Sequence, residues 1–164
     1  MGWHLAMICE DIGDLMTQAR AGSSWMGLDL GTKTIGVAVS DRLLSSATPL
    51  HTIRRVKFSK DAEALLQIIS DREIGAIILG LPRNMDGSEG PRCQSTRAFV
   101  RNLARLTDLP IGYWDERLST VAAERALLEA DTSRKRRAEV IDHVAAGYIL
   151  QGALDRARHI RTVT

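Results

Sequence analysis

The feature that most constrains the fold is an apolar run, AIILGL, at residues 76–81. A run of this kind has no polar side chain to turn towards water, so it predicts a strand that is buried on both faces of a sheet. Such a sheet needs helices above and below it, which favours a layered α/β architecture. At 164 residues, the chain is long enough for one such domain and too short for two well-formed lobes.

A second signal is a β-hairpin in residues 25–41. Two strand-like segments, MGLDLG and IGVAVSD, flank a tight turn that contains Gly31. A weaker extended segment follows at about residues 43–53. Two helix–strand units come next, and Ser59 is the predicted cap of the first helix. After a third helix and a basic loop, the final helix runs from about residue 138, which completes the order β-β-β-α-β-α-β-α-α. This order predicts a mixed five-stranded sheet, with an antiparallel hairpin half and a parallel half, flanked by helices. It is similar to the RNase H-like fold.

Residues 1–24 precede this pattern, and we interpret them as an N-terminal extension of a domain that covers residues 25–160. Apolar residues such as Ile12 and Leu15 recur at helical spacing, which predicts a short amphipathic helix. The alternative is a flexible segment, since Gly22-Ser23-Ser24 is typical of a flexible joint.

The composition is that of a globular protein, with 22 Lys and Arg against 20 Asp and Glu. No apolar run approaches the ~18 residues that cross a membrane, and the N-terminus lacks the basic start of a secretory signal. The two cysteines form no C-x-x-C motif. We therefore expect a cytoplasmic protein with no membrane partner. Basic clusters at residues 54–57, 134–137 and 156–161 suit a phosphate backbone, although each is also compatible with a solvated surface.

Asp29 is unusual because it lies in the middle of a predicted central strand. Strand alternation places it on the same face as Gly27 and Gly31. A buried carboxylate costs free energy unless its charge is satisfied, and bare backbone beside it leaves room for a ligand to approach. The sequence therefore predicts either a ligand-binding Asp29 or a structural one that is bonded to nearby backbone amides.

Two further positions carry acids where the core is expected. Asp115 and Glu116 end the last predicted strand, at the edge where ligands of parallel α/β sheets gather, and spacing does not choose between them. Asp142 begins a stripe on the final helix that continues with Ala145 and must face the sheet. Its alternative role is that of a helix-start Asp stabilised by the helix dipole.

Clustered carboxylates repel one another, so a site built from these acids needs divalent cations between them. We expect Mg²⁺, with Mn²⁺ as the alternative, because Mg²⁺ prefers oxygen ligands and adds phosphate oxygens of a substrate. A pair of such ions activates a water molecule and stabilises the leaving oxygen of a phosphodiester.

Four blocks in order closely resemble the YqgF (RuvX-like) family: GLDLGTKTIGVAVSD, GLPRNMDGSEG, DERLSTVAAERALLE and IDHVAAGYILQ, over about residues 25–155. The resemblance implies an RNase H-like fold and a nuclease that uses Asp29, Glu116 and Asp142 as catalytic, metal-binding acids, with Asp115 in support. The family is described as the nuclease that trims the 5′ end of pre-16S ribosomal RNA and as a Holliday junction resolvase, and we favour the RNA role. The implied partner is structured RNA or branched DNA, and the implied assembly is a monomer or a homodimer.

Basic and polar residues near these acids are candidates for binding nucleic acid. Lys33, at the hairpin turn, either meets a phosphate or remains an exposed turn lysine. The Gly-rich loop after the apolar run either lines a backbone groove or is a plain solvent loop. Arg117 either binds a phosphate or pairs with Asp115. The basic run before the final helix is a candidate for guiding a nucleic-acid strand into the site. The predicted set is Lys33, Arg83, Asn84, Arg117, Arg134, Lys135 and Arg136, with Arg92 as a further loop candidate.

Two other functions compete with a nuclease. An actin-like or sugar-kinase-like ATPase shares the sheet and a similar D-L-G-T loop, but it needs a second lobe that this chain is too short to form. A non-catalytic nucleic-acid-binding module is the other alternative, and the intact set of three acids argues against it.

Overall fold

The computed structural model describes residues 7–118 and 134–163, with the backbone alone for residues 134–142. The strands are β1 (Ile8–Cys9), β2 (Ser24–Leu30), β3 (Thr34–Ser40), β4 (Ala47–Arg54), β5 (Ile74–Leu81) and β6 (Ile111–Asp115). The helices are α1 (Ile12–Gln18), α2 (Phe58–Arg72), α3 (Pro91–Leu103) and α4 (Arg134–Val163), and a 3-10 turn covers Glu116–Leu118. The strands form one sheet in the order β1-β6-β5-β2-β3-β4.

The sheet is mixed, as the sequence predicts. Strands β2, β3 and β4 pair antiparallel, whereas β5 pairs parallel with both β2 and β6. The described residues contain six strands instead of the five expected, because β1 adds to the edge beside β6 with Ile8 opposite Ile111. A strand of two residues is too short to produce a periodic signal.

The apolar run at residues 76–81 lies in β5, and every residue of this strand is buried, as predicted. Helices α2 and α3 pack on one face of the sheet through residues such as Leu65 and Phe99. Helices α1 and α4 pack on the opposite face through residues such as Leu15 and Ile149. The fold is therefore a three-layer α/β structure with one core on each side of the sheet.

The described part of the N-terminal segment packs on this sheet. A short helix is present, as the apolar spacing predicts, and it begins at Ile12 with Asp11 as its cap: the Asp14 backbone N–H donates to Asp11 Oδ1 at 2.9 Å. Ser23 and Ser24 are buried, and Ser24 opens β2, so this stretch is a strand start instead of a flexible joint. The domain boundary at residue 24 stays a prediction.

Two helices begin earlier than the sequence indicates. Helix α2 starts at Phe58 with Lys57 as its cap, so Ser59 lies inside its first turn and is not the cap. Helix α4 starts at Arg134 instead of about residue 138, so the basic run 134–137 has helical backbone and is not a loop. Within the described ranges, no helix combines the length and the apolar character needed to span a bilayer.

The early start of α4 also bears on Asp142, which is the ninth residue of the helix. The helix dipole acts mainly within the first turn. Dipole stabilisation is therefore a poor explanation for an acid at this position.

Leu15→Ala tests whether the N-terminal segment belongs to the core. Leu15 is fully buried and its Cδ2 faces the backbone of Gly112, so we expect a loss of about 2–5 kcal/mol in the free energy of unfolding, measured by urea denaturation. Gln18→Ala, on the exposed side of the same helix, is the control and should leave stability nearly unchanged. Equal stability of the two variants would mean that α1 does not contribute to the core.

Candidate active site

Asp29 lies in the central strand β2 and is only 4% exposed. Its partner on β3 is Gly36, and the parallel register of Leu28 with Leu79 continues to Gly80 on β5. Glycines therefore flank Asp29 across the sheet as well as along its own strand. The sequence indicated only the glycines on its own strand, because lateral neighbours depend on strand pairing.

Glu116 begins the 3-10 turn directly after β6. A side-chain carbon added at Gly80 would lie 3.0 Å from Glu116 Oε1, so this carboxylate sits over the bare backbone of β5. Because adjacent strands are about 4.8 Å apart, the carboxylate over Gly80 neighbours Asp29 on the next strand. The strand order thus puts these two predicted acids over neighbouring strands, β2 and β5.

Asp115, the alternative to Glu116, is held by arginines. Arg117 donates to it from Nη2 at 2.7 Å and from Nε at 3.1 Å, and Arg83 lies 3.8 Å away. The hydrogen bonds from Arg117 lower the pKa of the Asp115 carboxyl below its ordinary value. Of the two roles considered for Arg117, the structure has the ion pair with Asp115. This contact gives Asp115 a positioning role and leaves Glu116 as the acid over the sheet.

Helix α4 crosses the sheet directly above Asp29's strand. A side-chain carbon added at Gly27 would lie 2.6 Å from Leu150 Cβ and 3.1 Å from the Ala146 carbonyl oxygen, so helix and strand backbones are in close contact. One turn earlier, half-buried His143 is hydrogen-bonded through Nδ1 to Thr52 Oγ1 at 3.0 Å.

Strand pairing connects the His143 contact to the acid. Thr52 pairs with Gly36, and Gly36 pairs with Asp29. Residue 143 of α4 therefore contacts β4 at the position that is in register with Asp29, two strands away from it. The side chain of Asp142 lies outside the described residues, as do the side chains of Arg134, Lys135 and Arg136.

The loop between β5 and α3 is closed by its own polar residues. Asn84 donates to Ser88 Oγ at 3.0 Å and accepts from the Gly87 backbone N–H at 2.9 Å. Arg83 lies 3.5 Å from Glu89, and its Nε is buried without a hydrogen-bond partner in the described part of the chain. Arg83 and Asn84 therefore shape the loop, whereas their contact with nucleic acid stays a prediction.

Arg97 is a positioning residue that the sequence did not reveal. It donates two hydrogen bonds to Glu89, at 2.7 and 2.8 Å, and two to Glu10, at 3.0 and 3.1 Å. Its guanidinium also lies 4.7 Å from the ring centroid of Tyr113. The hydrogen bonds from Arg97 lower the pKa of the Glu89 carboxyl. Arg97 thus connects α3, the loop before it and the N-terminal segment, and partners so distant in sequence leave no local pattern.

The hairpin turn that carries Lys33 is braced by Arg55, another residue the sequence did not single out for this role. Arg55 donates from Nη1 to the Gly31 carbonyl at 2.6 Å, and its backbone N–H donates to the Lys33 carbonyl at 2.8 Å. The Lys33 side chain is exposed at this turn, so its contact with a phosphate stays a prediction.

The donor set suits a hard divalent cation. Asp29 and Glu116 offer only carboxylate oxygens, the ligands that Mg²⁺ prefers. Among the residues with described side chains, no three His, Cys, Asp or Glu converge on one point. A complete ligand set therefore requires a donor beyond them, and Asp142 is the predicted one.

Comparison with known proteins gives the same family as the sequence motifs. A family model described as RuvX, Holliday junction resolvase, matches residues 23–156. A protein of Ruegeria sp. (strain TM1040) named "Putative pre-16S rRNA nuclease" is 72% identical and covers 95% of this chain and 99% of its own length. A protein of Ruegeria pomeroyi with the same name is 70% identical and covers 94% of this chain and 100% of its own length.

Among solved structures, Thermus thermophilus RuvC superimposes with a TM-score of 0.50 at 15% identity, covering 86% of this chain and 97% of that one. At this identity the likeness concerns the fold alone. The family model and the relatives both extend over nearly the whole chain. The chain therefore belongs to the RuvX family of RNase H-like nucleases, which confirms the family and the enzyme class that its four motifs predict.

Proposed function

We propose that this protein is a divalent-metal-dependent nuclease that matures the 5′ end of pre-16S ribosomal RNA. The observation that carries the proposal is the placement of the Glu116 carboxylate over Gly80, on the strand beside buried Asp29. Two carboxylates at one buried edge repel each other, and a bound divalent cation removes that repulsion while attracting a phosphate. Family membership supports the same chemistry.

Asp29, Glu116 and Asp142 would hold the metal, with Mg²⁺ preferred over Mn²⁺. When bound, the ion supplies charge neutralisation and an activated water at the scissile phosphate. Each acid comes from a different element: Asp29 from β2, Glu116 from the 3-10 turn after β6, and Asp142 from α4. Rigid elements hold such ligands more precisely than loops do.

The chain's own contribution to hydrolysis is to position the phosphodiester. Gly36, the partner of Asp29 on β3, has no side chain that would keep a sugar–phosphate strand away from this carboxylate. Hydrolysis adds water across one P–O bond and leaves a phosphate on one fragment and a hydroxyl on the other. Orientation of the phosphate against fixed carboxylates lowers the entropic part of this barrier.

The RNA substrate is favoured by the names of the curated relatives, which are 70–72% identical to this chain. With this substrate, the protein would act in the cytoplasm. The alternative substrate, a four-way DNA junction, is suggested by the description of the family model. A junction resolvase needs two copies with paired sites that match a symmetric substrate, so a monomeric active enzyme would favour RNA.

Asp29→Asn should abolish cleavage and leave the fold intact. The amide keeps the shape of the side chain but loses the charge that holds a cation, so we expect a fall in single-turnover rate of about 10³-fold or more. Urea denaturation should give equal or higher stability, because carboxylate repulsion is relieved. Full activity of this variant would remove Asp29 from the mechanism.

Glu116→Gln and Asp115→Asn form a matched pair of neighbouring carboxylate-to-amide changes. Glu116→Gln should lower the cleavage rate at least about tenfold more than Asp115→Asn does, because only Glu116 is proposed as a metal ligand. Asp115→Asn should instead lower stability, since it breaks the ion pair with Arg117. The reverse order of cleavage rates would assign the ligand role to Asp115.

Substrate choice is tested by incubating purified protein with a 5′-extended 16S precursor RNA and with a four-way DNA junction, side by side. We expect cleavage of the RNA with Mg²⁺, none with EDTA, and recovery when Mg²⁺ is added back. Cleavage of the junction alone would favour the resolvase alternative. Binding without cleavage of either substrate at any Mg²⁺ concentration would favour a non-catalytic binding module.

A further inference from the structure

A small basic cavity of about 240 Å³ lies at the end of β2 that follows Asp29. It is bounded by the hairpin turn after β2, by Arg55, which follows β4, and by the first turns of α3. Its lining includes Leu30, Gly31, Thr32, Arg55, Arg92 and Ser95. Leu30 packs in the core on the α3 side of the sheet, whereas Asp29 lies on the strand face that contacts α4. The cavity is therefore at the same end of β2 as Asp29 but on the opposite face of the sheet.

The charge of this cavity is positive. Arg55 and Arg92 both line it, and its lining contains no carboxylate. Arg55 is fixed by its bond to the Gly31 carbonyl, and its Nε lies 3.8 Å from buried Asp61, which offsets one of the two charges. Arg92 is exposed, and within the described residues its side chain forms no hydrogen bond or ion pair.

The absence of an ion pair among the described residues distinguishes Arg92 from Arg83 and Arg117. Arg117 is held by Asp115, and Arg83 lies between Asp115 and Glu89. Their charge is largely neutralised by the protein itself. Arg92 therefore carries an uncompensated positive charge on the rim of a cavity that already contains the ordered guanidinium of Arg55.

We propose that this cavity binds a phosphate of the nucleic-acid strand adjacent to the scissile phosphate. The inference rests on the proposed nuclease function and adds to it the residues that set the position of the strand. Guanidinium groups match phosphate oxygens in charge and geometry, and the Thr32 and Ser95 hydroxyls can add hydrogen bonds. Phosphate contacts of this kind set the register of a strand without reading its sequence.

The first test is Arg92→Ala, compared with Arg101→Ala, which removes an exposed arginine from the last turn of the same helix. Binding of single-stranded RNA is measured by fluorescence anisotropy at several salt concentrations, with Asp29→Asn present in every variant to prevent cleavage. Arg92→Ala should raise Kd about tenfold and should reduce the slope of log K against log salt by about 0.7. Arg101→Ala should change neither quantity. Equal behaviour of the two variants would overturn the proposed subsite.

The second test moves a single neutral methylphosphonate along the RNA. When the methylphosphonate is at one position next to the scissile bond, the protein that retains Arg92 should bind the RNA about tenfold more weakly. The Arg92→Ala variant should bind this RNA as tightly as it binds the unmodified RNA. Equal losses in both proteins at every position would also overturn the subsite. With Asp29 restored, Arg92→Ala should raise KM and change kcat little.

These outcomes separate the subsite from the nuclease function. If the unmodified protein cleaves RNA and Arg92→Ala binds as tightly as Arg101→Ala, only the subsite fails. If the unmodified protein neither binds nor cleaves nucleic acid, the proposed function fails together with it.

Discussion

The close contact between α4 and the bare backbone of β2 determines how the rest of the site is arranged. At Gly27 the helix lies so near the strand that even a methyl group would overlap Leu150 Cβ, at 2.6 Å. The contact sets the height of α4 above the sheet, and the bond between His143 and Thr52 sets its position at the other end. The short distance between helix and strand is possible only because residue 27 is a glycine.

The same use of bare backbone explains why carboxylates occupy the centre of a buried sheet. A side chain at Gly80 would fill the space that the Glu116 carboxylate occupies, 3.0 Å from the position of its first carbon. Asp29 itself is 4% exposed, and isolated burial of such an acid is costly. In the proposed site, a bound cation would offset that cost.

The sequence predicted those parts of the structure that leave a local pattern. The run at residues 76–81 indicated a strand covered on both faces, and alternation put Asp29 on a glycine-lined face. Strand β1 escaped prediction because two residues carry no period, and the start of α4 was misplaced because a basic run is equally compatible with a loop and an exposed helix turn. Spacing did not choose between Asp115 and Glu116. The family resemblance favoured Glu116, and the physical reason is a partner, Arg117, whose contact with Asp115 depends on the turn geometry after β6.

The arginines near the end of β2 and the loop before α3 are of two kinds, those in ion pairs with carboxylates and those without such a partner among the described residues. Arg97 and Arg83 share Glu89, and Arg83 and Arg117 share Asp115, so a continuous chain of charges joins α3, the loop before it and the turn after β6. Because hydrogen bonds from arginines lower the pKa values of both carboxyls, these pairs stay ionised at neutral pH and weaken only as the pH falls through the lowered values. Near neutral pH, the arginines of this ion-pair network therefore hold the loop before α3 in place. Attraction of a phosphate backbone is left to basic residues outside this ion-pair network. Arg92 and Lys33 are exposed residues of this kind near the end of β2 that follows Asp29.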